Sequence, residues 1–211
     1  MKKITIIDYD CGNILNLVRA LEFMGYTAET TRDSKKIKNS SHVILPGVGA
    51  FGNAINKLEE YNLKEVIQEY AKSNKPLLGI CLGMQVLLTL GYEFGVHNGL
   101  GLIEGEVVKI SNKKDKKIKI PHIGWNDVTF SSDHPVFASL YDTENQYYFV
   151  HSYYVRPHEN SIVAGRTEYG SVFCSAIAVD NVVATQFHPE KSGNPGLEIY
   201  ENFVKFAHAL Q

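Results

Sequence analysis

Gly79-Ile80-Cys81-Leu82-Gly83 sets a cysteine between two glycines, after the apolar pair Leu77-Leu78 and ahead of a helical-looking run, Met84 to Leu90. A nucleophile carried on a sharp strand-to-helix turn needs that pattern, because bulk two residues to either side would collide with the turn. The following helix would aim its N-terminal dipole at the sulfur and favour thiolate over thiol. Its first free N–H groups could also hydrogen-bond an oxyanion. Taken alone, the motif also fits a small buried cysteine.

Phe187-His188-Pro189-Glu190 offers the partners such a thiol would need. Pro189 disfavours helical geometry at His188. The segment therefore reads as extended, with His188 and Glu190 on one side. Imidazole near a thiol and carboxylate behind the imidazole make a nucleophile, a base and an orienter. The same tripeptide could simply end a strand.

Pro46-Gly47-Val48-Gly49-Ala50-Phe51-Gly52 is a third candidate, and it contains GxGxxG. A dinucleotide site expects that fingerprint in the first strand-to-helix turn. Here the first turn, Asp8 to Asn13, lacks it, and the acidic residue expected about 20 residues on falls in a helical stretch. An oxyanion loop, whose small residues let backbone N–H groups approach a developing charge, fits better. A purely structural turn is the remaining alternative.

The surrounding elements say how these pieces are held. Ile4 to Asp8 reads as a strand, followed by a helix with Ile14, Leu17, Val18, Leu21 and Met24 on one face and Gly25 as its stop. Strands are expected near Ala28 to Thr31, at His42 to Leu45 and at Pro76 to Ile80. A helix from Asn53 to about Tyr70, broken near Asn62, separates the last two. Alternating strands and helices imply βαβ units and a largely parallel sheet. From Gly99 to Phe187, β-type segments dominate: Gly105 to Ile110, Asp127 to Phe130, Tyr147 to Val155, Val172 to Val179 and Val182 to Phe187. Asp180-Asn181 reads as a hairpin turn. A last helix follows Pro195, with Leu197, Tyr200, Phe203, Val204 and Ala207 on its apolar face. No repeat or flexible linker interrupts the chain, so residues 1–211 read as a single α/β domain with a central, mostly parallel sheet flanked by helices and a β-rich second half.

Composition excludes several classes. With 211 residues, 44% hydrophobic and 21% charged, the chain can bury a full core. A net charge of −2 gives no basic excess for nucleic acid. The lysines at 113, 114, 116 and 117 read as a solvated hairpin tip. The apolar run after Lys2 and Lys3 is too short for a signal peptide, and no segment reaches membrane-spanning length. Three scattered cysteines without CxxC suit a reducing compartment, so a cytoplasmic protein is expected. His42, His97, His134, His158 and His208 show no metal-ligand spacing, His151 reads as structural, and neither a metal nor another cofactor is expected.

PGVGAFG, GICLGMQ and QFHPEKS, in that order and at these spacings, resemble the triad-type (class I) glutamine amidotransferases. The resemblance runs over nearly the whole chain. With IIDYDCGN, GLGLIEGEVV, IPHIGWN and YYFVHSYY it is closest to the glutaminase subunits of imidazole glycerol phosphate synthase. The anthranilate and GMP synthase glutaminases share the elbow and HPE without usually carrying PGVG followed by IPHIGWN and FVHSY. The resemblance implies Cys81 as the nucleophile forming a γ-glutamyl thioester, His188 as base and then acid, and Glu190 as orienter. It implies oxyanion donors at the backbone of Gly49 and Leu82. Gln85, with the backbone of Ser152 and Tyr153, would hold L-glutamine. Trp125 and Tyr148 would face a (β/α)₈-barrel cyclase in a heterodimer, which takes the ammonia in histidine biosynthesis. Asp10 departs from the family's usual DYG-x-GN, a change that could mark a branch feeding ammonia to surface-sugar amidation instead. A non-catalytic binding module on the same fold is disfavoured by the intact Cys81, His188 and Glu190.

Overall fold

A computed structural model describes residues 3–111, 118–140 and 145–206. Lys113, Lys114, Lys116, Lys117, Ala207 and His208 lie outside these residues. The β-branched start of the chain forms β1 (Lys3–Ile7), and the amphipathic run after it forms α1 (Ile14–Phe23). Gly25, at φ +80°, lets the chain turn out of α1. Then come β2 (Thr27–Thr31), α2 (Ser34–Asn39) and β3 (His42–Leu45). The long helical stretch is two helices, α3 (Phe51–Glu60) and α4 (Lys64–Lys72), and Asn62 at φ +54° makes the break. β4 (Leu77–Ile80) leads into α5 (Leu82–Val86).

Here the structure corrects the expected helix. Helical geometry stops at Val86, and Leu88–Gly91 is a strand, β5, paired in parallel with β7 (Ile103–Lys109) and antiparallel with β6 (His97–Asn98). A short apolar run such as Val86 to Leu90 fits either state by period, and tertiary pairing decides it. β8 (His122–Asp127) and β9 (Thr129–Phe130) follow. Tyr147 to Val155 is not one strand. It breaks at Ser152 into β10 (Gln146–His151) and β11 (Tyr153–Pro157), which belong to different sheets. The chain continues through β12 (Val163–Glu168), β13 (Val172–Val179), β14 (Val182–Thr185) and α6 (Gly193–Lys205). The Asp180-Asn181 hairpin is as expected, with Val179 paired to Val182.

The main sheet runs β2-β1-β3-β4-β14-β13-β11-β7-β5-β6, with β12 and β9 to one side. From β2 to β14 all neighbours are parallel, although β14 is nearly the last strand in the chain. One face is covered by α1 and α6 through Leu17, Leu21, Ile199 and Phe203, the other by α3 and α4 through Leu58, Ile67 and Tyr70. Truncating one of these fully buried side chains to alanine costs about 2–5 kcal/mol. β8 and β10 form a separate antiparallel pair whose alternation buries His122, Tyr147, Phe149 and His151 and turns Ile123 and Trp125 outward.

Candidate active site

Cys81 sits at the carboxyl end of β4 with φ +54° and ψ −108°, a conformation L-residues rarely hold. Such strain costs about 1–3 kcal/mol and persists where the surroundings enforce it. Two contacts enforce it here. The Cys81 N–H donates to the Thr185 carbonyl at 2.7 Å, and Gly83 lies so close to β3 that a Cβ there would sit 1.9 Å from the Leu45 oxygen. The glycine after the cysteine is therefore fixed by the approach of α5 to the neighbouring strand.

The pairing of β14 with β4 brings in the second group. Ile80 lies opposite Thr185, so His188, three residues further on, comes to the same sheet edge as Cys81. His188 is extended (φ −101°, ψ 98°), as Pro189 requires. Pro189–Lys191, however, is one 3₁₀ turn rather than extended chain, and that turn is what bends Glu190 back. His188 Nδ1 lies 2.7 Å from Glu190 Oε1, and the Tyr200 hydroxyl donates to Glu190 Oε2 at 3.3 Å. Both side chains are almost wholly buried. Among the described residues His188 Nε2 has no hydrogen-bond partner, which leaves that nitrogen for a reacting group. Burial opposes charge on this imidazole, but Cys81 and Glu190 beside it outweigh burial and hold its pKa well above the ordinary histidine value. An imidazole raised in this way can give a proton to a leaving group at its Nε2.

A cavity of about 420 Å³ opens on the other side of the sulfur, lined by Gly49, Cys81, Leu82, Gln85, Ser152 and Tyr153. These are the expected oxyanion and substrate residues in one place. Gln85 is held by donating to the Tyr153 carbonyl at 2.9 Å and to Gln186 Oε1 at 3.1 Å. The Ser152 carbonyl accepts from the Ile110 N–H and the Tyr153 carbonyl accepts from both Gln85 and His151, which ties the 152–153 corner to its surroundings. Two charged residues of the lining, Glu93 and Lys191, escaped the sequence reading. Glu93, just after β5, accepts the Phe51 N–H at 2.8 Å. Its one sequence signal is an acidic residue shortly after the elbow, which carries little information by itself.

The loop opposite is arranged differently. Tyr9 donates to the Pro46 carbonyl at 2.7 Å, and the Val48 N–H donates to the Cys11 carbonyl at 2.7 Å. The Leu82 N–H donates to the Gly47 carbonyl at 3.3 Å. Gly49, at φ +105°, supplies the backbone freedom. Asp10 stands next to Cys11 at φ +62°. It pairs with Arg32 at 2.7 Å and accepts a hydrogen bond from Tyr61, over whose ring the Arg32 guanidinium lies at 4.1 Å. Among the described residues, no group of three His, Cys, Asp or Glu side chains is placed to hold a metal ion, and no helix is long and apolar enough to cross a membrane.

The family model for glutamine amidotransferase class-I matches residues 5–206. The chain belongs to this family. Among curated proteins it is similar to the imidazole glycerol phosphate synthase subunit HisH of Sulfurimonas denitrificans, 47% identical over 96% of this chain and 98% of that one. The HisH subunit of Aquifex aeolicus is 44% identical, covering 97% of each. Among solved structures, PurLQS from Thermotoga maritima shares the fold, with a TM-score of 0.76 at 18% identity over 97% of this chain and 98% of that one. As an amidotransferase, the chain carries its elbow and its HPE segment on adjacent parallel strands. Trp125 and Tyr148 lie away from the cavity. They are direct partners across β8 and β10, with ring centroids 6.1 Å apart, and Lys191 Nζ reaches to 5.4 Å from the Tyr148 ring. Trp125 is 54% exposed, so it is not a core residue.

Proposed function

We propose that residues 1–211 form one glutaminase domain that hydrolyses L-glutamine and delivers the ammonia to a (β/α)₈-barrel cyclase making imidazole glycerol phosphate in histidine biosynthesis, in the cytoplasm. The observation that carries this reading is the strained Cys81 between the buried His188–Glu190 pair and a cavity with substrate-sized space. The Cys81 thiolate attacks the glutamine γ-carbonyl carbon. His188 Nε2 gives its proton to the departing nitrogen, which leaves as ammonia, and a γ-glutamyl thioester remains. Water then attacks the thioester with His188 as base, and glutamate leaves as the thiol is restored. Glu190 keeps the imidazole in register and stabilises its charged form.

Gln85 and the donors of Ser152 and Tyr153 bind the amino-acid end of glutamine, and the Glu93 carboxylate complements its ammonium group. The oxyanion forms on the side of Gly49 and Leu82. The Leu82 N–H must first leave the Gly47 carbonyl, and the bond from the Val48 N–H to the Cys11 carbonyl holds the loop that carries Gly49, so full activity needs a rearrangement that a bound partner can drive. The face formed by the exposed Trp125 and the half-buried Tyr148, joined to the cavity through Lys191, is the docking surface for the cyclase.

The test is chemical labelling. An electrophilic glutamine analogue, 6-diazo-5-oxo-L-norleucine, should modify Cys81 and spare Cys11 and Cys174, whose thiols burial pushes up, that of Cys174 to about 12. Mass spectrometry of the peptides decides it. Modification mainly at Cys11 would overturn the assignment.

A further inference from the structure

His122 and His151 are buried, face each other across β8 and β10, and are not used by the chemistry above. Their hydrogen bonds form a chain whose direction is fixed at both ends by backbone groups that cannot change role. At one end the Tyr153 carbonyl can only accept, so His151 Nδ1, 2.9 Å away, carries a proton. In a neutral ring His151 Nε2 then accepts, and its neighbour at 3.0 Å, His122 Nδ1, must be the donor. That leaves His122 Nε2 as an acceptor. At the other end Asn126 Oδ1 accepts the Asp127 N–H at 2.8 Å, which identifies Nδ2 as the amide donor. Asn126 Nδ2 gives one hydrogen to the Glu168 carbonyl at 3.0 Å and the other to His122 Nε2 at 3.3 Å. Read from either end, both rings hold the same tautomer.

An added proton on either ring would set N–H against N–H. Burial is the main cause that brings His151 down to about 3 and His122 to about 4; at His151 the Tyr153 carbonyl opposes the fall, and His122 and His188 contribute to it. The pair thus stays uncharged beside an imidazole that must carry charge. Aromatic rings clamp His122 as well, with Tyr169 stacked at 3.9 Å and Phe149 at 4.8 Å.

We propose that His122 and His151 are positioning residues of the glutamine site, a neutral single-tautomer relay that runs from Asn126 across the β8–β10 pair and fixes the Ser152–Tyr153 corner for substrate binding. This rests on the proposed glutamine site. The corner has two side-chain anchors on the Tyr153 carbonyl, Gln85 and His151, and both residues line the cavity. Without His122 donating to it, His151 Nε2 no longer has to be the acceptor, and the bond to Tyr153 loses its lock.

The experiment measures inactivation of Cys81 by 6-diazo-5-oxo-L-norleucine in the full chain, separating the binding constant KI from the rate constant kinact. His122→Phe keeps the stacked ring and removes both ring nitrogens. It should raise KI about 5- to 30-fold, the usual worth of one or two hydrogen bonds, with kinact within about twofold. His122→Gln can accept from Asn126 and donate to His151, and should return KI to within about threefold of the parent value. A role in packing alone predicts the reverse order, and that result, or an unchanged KI in His122→Phe, overturns the proposal. Imidazole ¹⁵N shifts of the unmutated chain give a second reading that needs no variant to fold. Both rings should be neutral with the proton on Nδ1 at pH 7. A proton on Nε2 of either ring, or an imidazolium, would also overturn it. Failure of the analogue to label Cys81 in the unmutated chain counts against the glutaminase reading, whereas the ¹⁵N pattern judges the relay on its own.

Discussion

The two sides of Cys81 are in different states of readiness. On the β14 side everything the thiol needs is assembled: His188 is in place, Glu190 holds its Nδ1 and Tyr200 holds Glu190. On the side of the 46–50 loop, the Val48 and Leu82 N–H groups donate to Cys11 and Gly47 carbonyls. The difference is one of construction. The base is carried on a strand end and a one-turn bend locked by burial, whereas the loop is held by single hydrogen bonds, each worth about 1 kcal/mol net. A site built this way holds its base ready beside the nucleophile while the Leu82 N–H, a donor for the tetrahedral intermediate, stays engaged elsewhere.

The largest effect should come from the assembled side. Cys81→Ala should remove glutamine-dependent synthesis by the reconstituted complex, a loss of at least about 10³-fold, while synthesis from added ammonium salt stays within about twofold. Product assays with each nitrogen source check this, and loss of the ammonium-driven reaction in an intact complex would refute the division of labour. Next comes the unassembled side. The partner complex should hydrolyse glutamine about 10²–10³ times faster than the lone chain, the usual worth of an oxyanion donor. Full turnover in the lone chain would remove the contrast between the two sides. Glu190→Gln should lower the rate of the complex about 10- to 100-fold, less than His188→Ala, because an amide oxygen still accepts from the imidazole but supplies no charge.

Asp10→Gly tests what holds the loop. It relieves the positive φ at residue 10 and cuts the ties to Arg32 and Tyr61 that brace the turn carrying the Cys11 carbonyl. Basal glutaminase of the lone chain should rise a few-fold, and the stimulation ratio should fall by the same factor. Stability should stay close to that of the parent chain, since the pair is exposed and the backbone gain offsets its loss. A last effect is on stability with pH. Burial depresses His122 and His151 in the folded chain below the unfolded value near 6.5, so the unfolded state binds more protons on acidification. Their contribution is complete above about pH 6.5 and is lost as pH falls toward 4 and 3. Denaturant titrations should find each histidine adding up to about 1.4 kcal/mol of lost stability per pH unit in that window. An unchanged midpoint between pH 6.5 and 4.5 would contradict it.

Much of this is legible in the sequence. Strong local constraints write themselves into residue types: the glycines around Cys81, Pro189 after His188, the apolar stripe of α1 and the break at Asn62. What escaped depends on partners far along the chain. Val86 to Leu90 turns from helix to strand because β7 is there to pair with it. Ser152 divides two strands because β10 pairs with β8 and β11 with β7. The approach of Glu190 to His188 was expected from extended backbone and is achieved by a 3₁₀ bend, so residue identity was readable and the local path was not. Glu93 reaches the cavity because β5 is a strand, and it could not be placed while that segment read as helix. His151 looked structural, and nothing in its spacing from His122 marked them as facing residues.

The parallel pairing of β4 with β14 also orders events in time. During synthesis Cys81 emerges roughly a hundred residues before the strand that carries His188. Until β14 inserts beside β4, the Cys81 N–H has no Thr185 carbonyl to bind and the sulfur has no imidazole next to it. Contacts of such long separation form late, because loop closure must be met before pairing rewards it. The nascent thiol is therefore an ordinary cysteine, slow toward electrophiles and oxidants in the cell. Reactivity arrives in one step with the closing of the central sheet, so that partly folded chains are shielded from damage by the same strand order that makes the finished enzyme active.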